Sequence, residues 1–169
     1  MSALAHSSTT AMESYMISKQ DLLGTWQLES WTIGYSDRDD LSYPYGEDPQ
    51  GLLVYAEDGW MSACIARKER ALFPDDVNYR KLPDAAKGEA FSSYFHYAGR
   101  YRVQEADVIH YVTQSLNPNF PGSEQLRHAE LDGQTLVLSG KDKVGEVIRF
   151  HSLVWHRSAP TEDNPPLEA

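Results

Sequence analysis

Short runs of alternating apolar and polar residues, each closed by Gly, Pro, Asn or Asp, recur from residue 24 to residue 157. A period of two marks strands buried on one face. The runs are GTWQLESWTIG (24–34), GLLVYA (51–56), GWMSACIA (59–66), YAGRYRV (97–103), DVIHYVTQSL (107–116), SEQLRHAEL (123–131), QTLVLS (134–139) and VIRFHSLVWHR (147–157). Asp58-Gly59 and Asp132-Gly133 are two-residue hairpin signals between such runs, and Gln104-Glu105-Ala106 is short enough for another. One helix is predicted over 83–99, with Pro83 and Asp84 at its start, Ala85, Ala86, Phe91 and Phe95 near helical spacing, and Gly99 at its end. An antiparallel array of this kind hides its edges as a sandwich or a barrel, and hairpin connectivity favours the barrel. The expected fold is therefore all-β, a single eight-stranded antiparallel up-and-down barrel with one short helix. At that strand number the interior is either filled by side chains or holds one small ligand.

Both ends read as tails. Residues 1–20 are Ser/Thr-rich without periodicity and 159–169 are rich in Pro and acids, so disorder is expected there, with the barrel domain spanning 21–158. The first twenty residues lack the basic start and apolar stretch of a secretory signal, which points to a cytoplasmic protein. Cys64 is the single cysteine and cannot form an internal disulfide. Formal charge is −10 and no run of Lys or Arg exceeds two residues, so neither nucleic acid nor an anionic membrane is an expected partner. Oligomeric state is left open.

Gly24-Thr25-Trp26 at the head of the first run, with Arg157 at the end of the last, resembles the Gly-x-Trp and terminal Arg of lipocalins and other calycins. The resemblance implies a barrel floor in which the Trp packs beneath the guanidinium. YPYGEDPQGLLVYAEDGWMSA, YFHYAGRYRV, VIHYVTQSLNPNF, RHAELDGQTLVLS and HSLVWHR, in that order, are similar to the lipocalin-like domain family of bacteria and fungi, over about residues 22–157. Members are often encoded beside secondary-metabolism enzymes; what the resemblance implies is a cavity for a small molecule, with no single activity carried across. The GTW start also resembles nitrobindin-like haem barrels, but Gln27-Leu28-Glu29 departs from their glycine-rich continuation, and no cofactor is expected.

Strand parity sorts inward from outward side chains. Arg100 and Arg102 belong on the outside, which turns Tyr97 and Tyr101 inward; Glu124, His128 and Glu130 share one face, which turns Gln125 and Arg127 inward. In 107–116 the faces are almost equally apolar. There the family match at His110 implies that His110, and with it Gln114, faces the cavity. Tyr55 supplies a flat surface with a polar tip, Trp26, Leu53 and Met61 line the lower wall, and the rims are 67–82 (with Phe73, Pro74 and Tyr79) and 117–122, which carries Phe120. An Arg and a His in an apolar barrel need partners. Either the wall supplies them, or a ligand does.

Two functions follow. One is a cofactor-independent cyclase, isomerase or dehydratase acting on a biosynthetic intermediate, with His110 as general acid/base and Arg127 and Tyr101 stabilising negative charge on oxygen. The other is a non-catalytic binding protein in which the same residues anchor a hydrophobic, oxygen-bearing molecule. A metal site would have to assemble His110, His128 or His151 from separate strands against parity, and none is expected. No Gly-x-Ser-x-Gly elbow, Walker loop or Gly-x-Gly-x-x-Gly is present.

Overall fold

Antiparallel pairing runs without a break around the computed structural model, which describes residues 16–159, and closes eight strands into a barrel in sequence order. The strands are β1 (Gly24–Tyr35), β2 (Gln50–Tyr55), β3 (Trp60–Ala66), β4 (Tyr94–Gln104), β5 (Asp107–Ser115), β6 (Glu124–Asp132), β7 (Thr135–Val144) and β8 (Val147–Arg157). Two helices accompany them, α1 (Lys19–Leu22) and α2 (Asp84–Ser92). The expected barrel is thus the observed one. Of the tails expected over 1–20 and 159–169, residues 1–15 and 160–169 lie outside the described residues.

The structured part begins before residue 20. Ser18 and Asp21 form a reciprocal capping box at the start of α1, Ile17 is buried and donates its backbone N–H to the Glu105 carbonyl at 3.2 Å, and Leu22 is fully buried. This segment plugs one end of the barrel. Trp26 donates its indole N–H to the Leu22 carbonyl at 2.9 Å, and the Arg157 guanidinium lies 4.1 Å above the Trp26 ring. Arg157 also donates to the carbonyls of Leu23 at 2.7 Å and Asp21 at 2.5 Å, which ties the last strand to α1. Because Arg157→Met removes a cation–π contact and two charged donors while leaving the stem's bulk, it is expected to cost about 2 kcal/mol in urea unfolding. An unchanged midpoint would show that the floor is held by apolar packing alone.

Above the plug the lower half of the barrel is solid. Trp26, Leu53, Tyr55, Val108, Leu136 and Trp155 are fully buried there, with Met61 and Ala129 beside them. The helix predicted over 83–99 stops at Ser92, because the chain from Tyr94 onward pairs with β3, Phe95 opposite Ile65 and Tyr97 opposite Ala63. β7 runs on to Val144 as an exposed, one-sided ladder with β8, too charged at Lys141, Asp142 and Lys143 to read as a strand.

Two β-bulges reverse the inward–outward alternation. In β1 the register against β8 shifts between Leu28 and Ser30, so Leu28 and then Trp31 turn toward the interior. In β5 the ladder with β4 pairs Gly99 with Val112 but Ala98 with Gln114, which leaves Thr113 as the extra residue. Gln114 is consequently exposed, not in the cavity as simple parity predicts. A bulge displaces every side chain beyond it to the other face.

Candidate functional site

Aromatic side chains gather in the upper half. Trp31 from β1 stacks on Tyr45 from the β1–β2 loop at 5.4 Å between ring centres and 21° between planes. Phe95 from β4 meets Phe120 from the β5–β6 loop edge-on at 5.6 Å. With Ile33, Pro44 and Leu153 these rings form the apolar side of a cavity of about 300 Å³. Its polar side comes from the adjacent strands β6, β7 and β8: Gln125, Arg127, Lys141, Asp142, Arg149 and His151.

The polar wall is ordered by its own bonds. Arg149 grips Asp142 with Nε at 2.7 Å and Nη2 at 2.5 Å, and this pairing holds the Asp142 carboxyl below the usual carboxylate range. Asp142 Oδ1 stands 3.4 Å from His151 Nε2, while His151 Nδ1 accepts the Trp31 indole N–H at 3.2 Å. An indole can only donate, so Nδ1 must carry a lone pair and the His151 proton sits on Nε2. Burial lowers the His151 pKa in spite of the nearby carboxylate, in keeping with that neutral tautomer.

Beneath the cavity lies a second polar chain. His110 is 1% exposed, with Tyr97 Oη 2.8 Å from Nδ1 and Tyr55 Oη 2.7 Å from Nε2. Burial, reinforced by the positive Arg127, lowers its pKa to about 3, so the imidazole is neutral. Burial raises the Tyr97 hydroxyl pKa, and the nearby positive charge of Arg127 draws it partly back. A neutral imidazole has one N–H and one lone pair, so His110 accepts from one tyrosine hydroxyl and donates to the other.

Arg127 sits where the wall opens. β6 pairs with β7 only from His128 and Ser139 toward the floor, so Leu126, Arg127 and Gly140 lie beyond the ladder. Arg127 Nη1 donates to the Leu126 carbonyl at 2.9 Å and Nη2 to Gln125 Oε1 at 3.4 Å. A Cβ on Gly140 would lie 2.9 Å from Arg127 Nη1, so a larger residue there would push the guanidinium aside.

Of the residues singled out in the sequence, Phe120, Gln125 and Arg127 line the cavity, and Tyr97, His110 and Tyr55 form the layer beneath it. Trp26, Leu53 and Met61 do not line it, because the floor half they occupy is filled. Tyr101 is also remote from it: its hydroxyl donates to the Ala56 carbonyl at 3.0 Å, at the floor hairpin. The rim expected over 67–82 contributes none of the lining residues, whereas 117–122 contributes Phe120. Trp31, Tyr45, Phe95 and His151 were missed. For His151 a signal existed, since Trp155 and Arg157 anchor the inward face of β8 and a period of two from them passes through Leu153, His151 and Arg149. Among the described residues no three His, Cys, Asp or Glu side chains gather as a metal site, and no helix is long and apolar enough to cross a membrane.

A closed antiparallel barrel, plugged by tryptophan and arginine at one end and hollow at the other, is a calycin-type container. The chain belongs to the lipocalin-like domain family, whose sequence profile matches residues 23–158. No curated protein matches the chain.

Proposed function

We propose that the protein binds, without transforming it, a hydrophobic small molecule that carries an oxygen function. The observation that supports this reading is the division of the cavity into an aromatic side and a hydrogen-bonding side above a filled floor. Such a division orients an amphipathic ligand: rings against Trp31 and Phe120, oxygen toward Arg127. An enzymatic reading, as a cyclase, isomerase or dehydratase, has less support. His110 does not line the cavity and has a tyrosine hydroxyl at each ring nitrogen. His151 does line it, yet Trp31 and Asp142 occupy its two nitrogens, so a substrate would have to displace the indole to reach a base.

The neutral fluorophore N-phenyl-1-naphthylamine tests the container directly. Saturable binding at one site is expected, and Leu153→Trp, which fills the cavity from β8, is expected to weaken it at least about 10-fold, an overpacked pocket costing on the order of 1–3 kcal/mol. Binding that is absent in the wild type, or indifferent to Leu153→Trp in a protein that still unfolds cooperatively, refutes the reading.

A further inference from the structure

The cavity carries an uncompensated positive charge. Three cations, Arg127, Lys141 and Arg149, line it with a single carboxylate, Asp142, which Arg149 already holds. Among the described residues neither Arg127 nor Lys141 forms an ion pair inside the cavity. This happens in a chain with 25 acidic and 15 basic side chains, so the surplus of carboxylates on the molecule is not used to neutralise the cations of this cavity. Arg127 and Arg149 are partly buried and Lys141 is exposed at the edge; a partly buried cation raises the energy of an empty site and lowers that of an anion in it. Arg127 retains further N–H donors beyond its bonds to Leu126 and Gln125, and its planar fork matches a carboxylate.

Shape narrows the class further. The stacked Trp31–Tyr45 pair and the edge-on Phe95–Phe120 pair give the cavity an aromatic side on which a planar ring system can pack. At about 300 Å³ the cavity takes one compact molecule rather than a long acyl chain. Resting on the container reading above, we propose that the ligand is a planar aromatic or conjugated carboxylate, its rings against the Trp31–Phe120 side and its anionic group on Arg127.

A matched pair of probes, 2-naphthoate and 2-naphthalenemethanol, differs in the charged oxygen group and little else. By titration calorimetry at neutral pH the wild type is expected to bind the carboxylate at least about 10-fold more tightly than the alcohol, with only the carboxylate losing affinity as salt rises. Arg127→Met is expected to abolish the preference and Arg127→Lys to keep part of it. Equal affinities in the wild type, salt-independent carboxylate binding, or a preference that survives Arg127→Met each overturn the proposal. Should Arg127→Met fail to fold, the wild-type salt response and Arg127→Lys decide the matter. If neither naphthalene binds while N-phenyl-1-naphthylamine does, the anionic class is wrong and the container stands; if all three fail, the container falls with it.

Discussion

Gly99→Ala is expected to destabilise the protein by more than about 3 kcal/mol, enough to leave much of it unfolded under ordinary conditions. A Cβ at residue 99 would lie 1.9 Å from the Tyr111 carbonyl oxygen, 2.9 Å from its carbon and 3.0 Å from the Thr113 nitrogen. These are backbone atoms of the partner strand, at the bulge where Ala98 pairs with Gln114 and Gly99 with Val112. They cannot rotate away as a side chain would. Relief requires the β4–β5 ladder to separate at the level of the Tyr97–His110 bond. Gly88→Ala is the control: Gly88 lies inside α2 with nothing within 4 Å of its added Cβ. The same methyl there is expected to stabilise by up to about 1 kcal/mol, because alanine is the better helix former. Urea unfolding of the two variants should give opposite signs. A mild effect at residue 99 would mean that the bulge is softer than its contacts imply.

Acid should weaken the fold through His110. In the unfolded chain this imidazole takes a proton as pH falls through about 6.5, whereas in the native barrel its pKa is lowered to about 3 by burial and by Arg127. Between those values the unfolded state binds the extra proton, so stability is fully present above about pH 6.5 and falls with pH by up to about 1.4 kcal/mol per unit. His151, also lowered, acts in the same direction. His110→Gln isolates the contribution, since an amide can accept from one tyrosine and donate to the other without titrating. The variant should show a stability–pH slope shallower by about 1 kcal/mol per unit between pH 6 and pH 4. Parallel slopes for the two proteins would place the imidazole in a more polar setting than the paired tyrosines describe. His110→Ala should be worse at every pH, by about 3 kcal/mol, because it leaves a void and two buried hydroxyls without their partner.

The barrel was legible in the sequence because alternation, Asp-Gly turns and the Gly24–Trp26–Arg157 floor all describe the same closed meander. The site was half legible, for a physical reason. Parity works where strands are regular, and it correctly turns Arg127 and Gln125 toward the cavity. At a bulge it fails. The shift after Leu28 concealed Trp31, and the extra Thr113 exchanged the fates of Gln114 and its neighbours. Both bulges lie toward the hollow half of their strands, where the wall must curve around a space that side chains do not fill. Phe95 was hidden differently: its spacing from Phe91 is helical, and only pairing with β3, a contact distant in sequence, makes it a strand residue. Tyr45 belongs to a loop, for which no periodicity exists.

The seam of the barrel joins the first strand to the last, Trp26 against Arg157 through Tyr35 against Arg149. Beyond Gln27, β1 has no ladder with β2, and apart from a single bridge between Ile33 and Ser42 its backbone pairs with β8. During synthesis the ribosome must deliver β8 before that half of β1 has a strand to pair with along its length. Until then a largely unpaired edge around Trp31 is available to other nascent chains, and a protein of this kind is most vulnerable to aggregation in the interval before its final strand emerges.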